Sequence, residues 1–406
     1  MLHPLARTTR HFPDGRPAEG MCSIRAAAVG AVPEPDKLLP HLLKQGVEAA
    51  TRVSARLPDA VAVAELCPEG EVMSEQGLND DEILAIVTHS LGAHAEVTGA
   101  EELTGGTFNT VYRISLRGRE AGEVILKVAP PPTTPLMTYE HGLLRAEADF
   151  YARVSFLPDV PVPRVIAADP ARRVIGREWL LMSRLDGVPW QELRPGIGAE
   201  DHARLRAGLA RLIGRIHTVR GTGFGYLRQR PPATGATWRG TFTAMLADVC
   251  ADATRYRAPL PYEVTELLSL VEAHAWLLDD VRVPALVHFD LWDGNILLAE
   301  RNGRLDISGI IDGERTFWGD PLADLVSPAL FDDITRDTGF VEAYRTSVGA
   351  PPRLTAHERR RIALYRIYLA LIVLVEAIPR GYDPGAHASI TERATADLSA
   401  AVSRLR

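Results

Sequence analysis

The sequence predicts an α+β protein of two lobes, a small sheet-bearing lobe followed by a larger, mainly helical one. Three observations carry that prediction. Between Glu101 and Val128 short apolar strands alternate with glycine-marked turns. Beyond Gly187 apolar residues recur at helical spacing over long stretches. The chain of 406 residues, 46% hydrophobic, is long enough to build a core for each lobe.

The elements follow in order. Residues 1–78 are rich in Pro, Ala and Arg, with breaks at Pro33, Pro35, Pro40, Pro58 and Pro68, and read as a poorly ordered or weakly helical extension. Only Leu38 to Val53 has helical potential there, and Met73 is a candidate alternative start. At Asn79 or Asp80 a helix can be capped, with Asp81 and Glu82 in its first turn and Ile83, Leu84, Val87 and Leu91 at helical spacing. Residues 79–186 form the first lobe: strand, glycine loop, strand, turn and strand, then a helix from about Tyr139 to Val154, then short strands through Val165 and from Trp179 to Met182. Residues 187–406 form the second, where Leu205, Leu209, Leu212, Ile213 and Ile216 make one apolar stripe and Arg359 to Ile378 another.

Composition excludes several classes. A net charge of -7 and a pI near 6.0 argue against a nucleic-acid partner. Ile367 to Val375 is too short to cross a bilayer and reads as a core helix, so no membrane partner is expected. Cys22, Cys67 and Cys250 are far apart and form no metal or disulfide pattern, which fits a reducing cytoplasm.

The most informative stretch is His288-Phe-Asp-Leu-Trp-Asp-Gly-Asn-Ile-Leu-Leu298, in which Asp290 precedes Asn295 by the interval that separates base from metal-ligating Asn in a kinase catalytic loop. A polar turn leading into a strand is the bland alternative. A second motif runs from Gly309 through Asp312 to Asp324. The two are joined by a predicted hairpin centred on Asn302-Gly303. That turn places Asn295 opposite Ile310 and brings Asp312 out beside Asn295, two oxygen ligands suited to magnesium. Asp320 and Asp324 read as structural caps. His217 reads as a helix cap or packed core residue rather than a base.

Leu103-Thr-Gly-Gly-Thr-Phe-Asn-Thr-Val-Tyr-Arg113 is a candidate nucleotide loop, with Gly105, Gly106, Thr107 and Asn109 assigned to the nucleotide. In the strand that follows, alternation sets Val124, Leu126 and Val128 on one face and leaves Lys127 on the other, either at the phosphates or simply exposed. Glu147 falls within the apolar stripe of Leu144, Tyr151 and Val154. A carboxylate there needs a partner, and Lys127 supplies one; Glu147 is preferred over Glu140 for that pair.

Taken together, these ordered motifs, with Val160-Pro-Val-Pro-Arg-Val and Arg215-Ile-His217, resemble the aminoglycoside phosphotransferase and fructosamine kinase superfamily. The resemblance extends from about Asn79 to the C-terminus and implies a bilobal protein-kinase-like fold. It also implies ATP and Mg2+ as cofactors, Asp290 as catalytic aspartate, Asn295 and Asp312 as metal ligands, and Lys127 with Glu147 on the nucleotide phosphates. The expected reaction moves the γ-phosphate to a hydroxyl of a small-molecule acceptor: an aminoglycoside or other antibiotic-like compound, or an amino-alcohol metabolite. A ketosamine-repair kinase and a non-catalytic nucleotide-binding scaffold are the alternatives.

Three features depart from the family pattern. Phe289 stands where a glycine is usual, so it either crowds the loop or shapes an acceptor pocket; Gly313 stands where many members carry Trp, which predicts a looser loop; and the chain ends in Ser403-Arg-Leu-Arg406 rather than in acidic residues. Asp290 is expected to be ionised at neutral pH from a reference pKa of about 3.9. Asp332, Asp333, Asp337, Glu342 and Glu376 are candidate contacts for an amine-bearing acceptor.

Overall fold

The computed structural model describes residues 9–11, 77–103, 108–118, 121–227 and 235–406. Helix α1 (Asp80–Leu91) begins where its capping signal lies: the Asn79 side chain accepts from the Glu82 backbone and Glu82 accepts from the Asn79 backbone. Two orphan donors of the first turn are thereby satisfied reciprocally. Its Ile83, Ile86 and Val87 pack on one face of a six-stranded antiparallel sheet, against Ile114, Leu126, Val128, Trp179 and Leu181.

That sheet comprises β1 (Thr9–His11), β2 (Glu96–Leu103), β3 (Thr110–Arg117), β4 (Gly122–Val128), β5 (Val165–Ala168) and β6 (Trp179–Ser183), in the order β1-β2-β3-β4-β6-β5. The backbone of β1 pairs with Gly99 to Glu101 of β2, because an open sheet edge offers unpaired amides and carbonyls to any extended segment. The candidate helix from Leu38 to Val53 lies outside the described residues. On the opposite face of the sheet, helix α2 (Leu143–Val154) buries Leu144, Phe150 and Tyr151 in a second core that continues into the helical lobe.

Helices α3 (Ala199–Ile216), α4 (Trp238–Tyr256), α5 (Val264–His274), α6 (Thr338–Ser347), α7 (Ala356–Glu376) and α8 (Ala388–Leu405) build that lobe. α7 packs against α4 and α8, and α3 against α6. The apolar stretch within α7 is a buried core helix as predicted, its Thr355 and Glu358 forming a capping box. Its buried charges are matched: Arg361 lies 2.9 Å from Asp320, and Arg366 pairs with Asp397. Among the described residues, no helix is long and apolar enough to cross a membrane. Cys250 is a buried free thiol.

Two small sheets position the site. One is ordered β11-β10-β7, from β7 (Val188–Pro189), β10 (Ile296–Arg301) and β11 (Arg304–Ile310); the other is β8-β12-β9, from β8 (Gly225–Tyr226), β9 (Ala285–Val287) and β12 (Phe317–Gly319). The hairpin turn is where the sequence places it, with Asn302 at φ 53° and Gly303 at φ 77°, the left-handed pair that a type I′ turn requires. The register differs by one residue. Leu298 faces Ile307 and Leu297 faces Gly309, so Ser308 is an extra residue and Ile296, not Asn295, falls opposite Ile310. A β-bulge of this kind leaves no trace in an alternation pattern.

Candidate functional site

The two lobes meet at Lys127. Alternation along β4 turns Val124, Leu126 and Val128 toward α1 and Lys127 toward α2, where its Nζ lies 2.8 and 3.0 Å from the two oxygens of Glu147. The same ammonium reaches 2.5 Å to Asp312 Oδ1, at the far end of β11. Glu147 is fully buried and also accepts from the Tyr151 hydroxyl at 2.7 Å, while Tyr151 Oη accepts from the Asp312 backbone N–H at 2.8 Å. One tyrosine thus fastens α2 to the Asp312 turn. Asp312 itself is left-handed, at φ 66°, a conformation Asp tolerates better than most residues.

Glu314 completes the cluster. It follows Asp312 through a single 3-10 turn, is buried, and accepts from Asn109 Nδ2 at 2.7 Å. A carboxylate oxygen from each of Glu147, Asp312 and Glu314 lies within 4.8 Å of the others. Burial works against the charge of Lys127, but Asp312 and Glu147 outweigh it and hold the lysine pKa well above its ordinary value. Burial pushes Asp312 up, and Lys127 overrides that to keep it below the usual carboxylate range. For Glu314 the balance falls the other way: burial, then the charge of Asp312, push it well up against the pull of Lys127 and Arg315. One ammonium among three carboxylates leaves the cluster short of positive charge.

Asp290 and Asn295 stand on the loop between β9 and β10. Asn295 Nδ2 donates to the Asp290 carbonyl at 2.9 Å, which leaves its amide oxygen as acceptor. Its backbone carbonyl accepts from Ile311 N–H at 3.0 Å, so the Asn295 and Asp312 turns are stitched together despite the shifted register. His288 adds a second stitch, accepting from Asp290 N–H at Nδ1 (3.2 Å) and facing Ile311 O from Nε2 (3.1 Å). Those partners fix the neutral Nε2–H tautomer, and burial lowers the His288 pKa.

Asp324 supports the loop from behind. Its oxygens accept from the backbone of His288 (3.0 Å) and Phe289 (2.6 Å), and the second partner of its Oδ2 is His217 Nε2 at 2.9 Å. Asp320 caps the turn at Leu322 and accepts from Tyr365. Both are structural, and His217 is a buried residue at the end of α3, each as the sequence implies. Phe289 resolves its own ambiguity. It sits at φ 67°, where a glycine would be unstrained, yet its ring is buried against Phe317 and Tyr368. The side chain therefore packs into the core. Gly313 is likewise not loose: a Cβ there would lie 2.5 Å from the Phe150 ring, which already fills the place of a larger side chain.

A second charged network flanks Asp290. Arg315 Nε lies 3.6 Å from Asp290 Oδ2 and its Nη2 3.0 Å from Glu376; Glu376 also accepts from Tyr139 at 2.9 Å and pairs with Arg380 at 3.3 Å, and Arg380 in turn reaches Glu140 at 2.5 Å. Burial raises the Asp290 pKa to about 6 against the opposing pull of Arg315, a correction to the unperturbed value expected from sequence. Glu376 is therefore committed to two arginines and not available to an amine. Asp333 pairs with Arg404 and Asp337 with Arg206, so two more of the candidate amine contacts are already engaged. Glu140 belongs to Arg380, leaving Glu147 to Lys127 as preferred.

The structure thus gathers Lys127, Glu147 and Asp312 in direct contact, and Asp290 and Asn295 beside them. Asn109 is present too, held by Glu314. Gly105, Gly106 and Thr107 lie outside the described residues. Sequence reasoning missed Tyr151, Glu314 and Arg315. Tyr151 was legible only as an apolar-stripe residue; the other two are charged residues in a loop, whose one signal is that Gly313 to Thr316 interrupts two apolar runs.

The sequence profile of the phosphotransferase enzyme family (APH) matches residues 99–362. The chain belongs to that family. No curated protein matches the sequence. Among solved structures, it is similar to a proposed fructosamine-3-kinase from Thermobifida fusca (22% identity, 80% of this chain and 100% of that one, TM-score 0.55) and to one from Haemophilus somnus (17%, 78% and 96%, 0.54). It is also similar to a thermostable mutant of aminoglycoside phosphotransferase APH(4)-Ia, solved with ADP and hygromycin B (19%, 79% and 97%, 0.54). At these identities the likeness establishes the protein-kinase-like fold.

Proposed function

We infer that this phosphotransferase-family chain uses ATP and Mg2+ to phosphorylate a hydroxyl of a small molecule. One observation carries the reading: Lys127, paired with a buried glutamate, meets Asp312 across the lobe boundary beside the Asp290–Asn295 loop. The residues fit magnesium by their donor chemistry. Asp312 and the free amide oxygen of Asn295 are hard oxygen ligands, and a carboxylate-rich cluster short of positive charge is relieved by a divalent cation. Bound there, magnesium would neutralise the phosphoryl group in transfer.

The chain's own residues do the rest. Lys127, anchored by Glu147, holds the nucleotide phosphates; Asn109 and the glycine loop with Gly105, Gly106 and Thr107 cover them. Asp290 orients the acceptor hydroxyl and takes its proton. With a pKa of about 6 it is a stronger base than an exposed aspartate, yet still largely ionised at neutral pH. Arg315 holds it from one side, and Asp324 fixes the backbone that carries it.

The test is ADP release with magnesium across aminoglycosides, other hydroxylated antibiotics, ketosamines and amino alcohols. Acceptor-dependent release that EDTA abolishes is the expected result. Tight ATP binding with no release from any acceptor would replace this reading with a nucleotide-binding scaffold.

A further inference from the structure

A cavity of about 220 Å³ opens in the helical lobe, walled by none of the cleft residues. Its charged walls are Arg220, Asp320, Arg345, Glu358 and Arg361, with the Tyr344 hydroxyl among them. The space exceeds several times the roughly 30 Å³ share of one liquid water, so an oxyanion and its hydration fit.

Among the lining side chains three guanidiniums face two carboxylates. Arg361 pairs with Asp320 at 2.9 Å and, outside the cavity, with Asp280 at 3.0 Å, and Arg345 pairs with Glu358 at 2.5 Å. Arg220 is exposed, and among the described residues its side chain has neither an ion pair nor a hydrogen bond with the protein. Arg361 is 8% exposed and its buried Nε, though close to Asp320, lacks an aligned hydrogen-bond partner. An exposed guanidinium free of protein partners, beside a buried donor without an aligned one, offers a fork that a multidentate anion such as phosphate can fill.

The cavity wall is also wired to the catalytic loop. Tyr344 Oη lies 2.9 Å from His217 Nδ1, His217 Nε2 lies 2.9 Å from Asp324, and Asp324 holds the backbone amides of the two residues before Asp290. Arg220 bridges to Ala285 of β9, the strand that leads into that loop. We propose that this cavity is a regulatory site for a small phosphate-bearing anion, whose occupancy reaches Asp290 through Tyr344, His217 and Asp324. The binding stands apart from the phosphotransferase reading; the coupling to turnover rests on it.

Isothermal titration of the full chain with inorganic phosphate tests the binding, in wild type, Arg220→Ala and Arg220→Lys. Saturable binding to the wild type is expected, weakened at least about tenfold in Arg220→Ala, as loss of a charge-assisted hydrogen bond implies, and largely restored in Arg220→Lys. Absence of saturable binding, or equal binding in Arg220→Ala, overturns the site. Displacement by a non-hydrolysable ATP analogue with magnesium also overturns it, because the phosphate then occupies the nucleotide cleft. For the coupling, phosphate should change ATP turnover of the wild type at least about twofold and leave Arg220→Ala unresponsive. Binding without any change in turnover sinks the relay; a wild type that turns over no ATP sinks the phosphotransferase reading and leaves the binding result standing.

Discussion

Two charged clusters adjoin at the Asp312–Arg315 turn, and they differ in balance. Around Lys127, three carboxylates share one ammonium. Around Arg315, the carboxylates of Asp290, Glu376 and Glu140 interleave with the guanidiniums of Arg315 and Arg380. The first cluster is incomplete by itself and suited to receive a cation. The second closes on itself, and its only loosely held member is Asp290, whose separation from Arg315 of 3.6 Å exceeds hydrogen-bond range. A group with a large excess of one sign marks a place for a ligand; one whose charges are nearly matched marks a frame that aims a side chain.

The contrast can be broken from the Lys127 side with the largest effect. Lys127→Met strands Glu147, which is 0% exposed, as a buried carboxylate without its cation, at a cost of about 3–5 kcal/mol. Urea unfolding should show that loss, and adding Glu147→Gln should recover most of it; a single variant as stable as wild type would refute the pair. Next, Asp290→Asn should lower turnover at least about a hundredfold with nucleotide binding retained. Asp290 has a raised folded pKa, so its ionisation opposes folding fully above about pH 6, and the penalty fades as pH falls toward the unfolded value. The same substitution should therefore stabilise the protein at pH 7, by about 1–3 kcal/mol; a lower melting temperature at that pH would contradict this.

Phe289→Gly gives a smaller change. It relieves left-handed strain worth about 1 kcal/mol but removes a buried ring worth about 3–5 kcal/mol. A net loss of about 2–4 kcal/mol is expected in thermal unfolding, with nucleotide affinity unaltered. Smallest is Arg315→Gln. Without that guanidinium the Asp290 pKa rises further, so the acid limb of the pH–turnover profile should move up, by about one unit. An unmoved limb would show that Arg315 does not act on Asp290.

Lys127, Glu147 and the hairpin were legible because each is encoded by a period: alternation in a strand, helical spacing, a two-residue turn. The Asn79 cap and the buried stretch of α7 were legible in the same way. Arg315, Glu314 and Tyr151 were not, since a loop has no period and a tyrosine in an apolar stripe does not disclose where its hydroxyl points. Phe289 shows the complementary failure. Its identity broke the family's glycine pattern, but only the backbone angle shows that the position demands a left-handed residue and that the ring turns away from the chemistry.

Ser308, the unpaired residue of β11, carries a consequence for how the hairpin tolerates insertions and deletions. Lengthening the exposed turn at Asn302 changes only a distal tip. Deleting Ser308 would remove the extra residue and leave Leu297 facing Gly309 and Ile296 facing Ile310, whereas deleting a paired residue such as Ile310 would shift everything after it and carry Asp312 away from Lys127. The strand therefore tolerates loss of its bulge better than loss of a single paired residue beyond it.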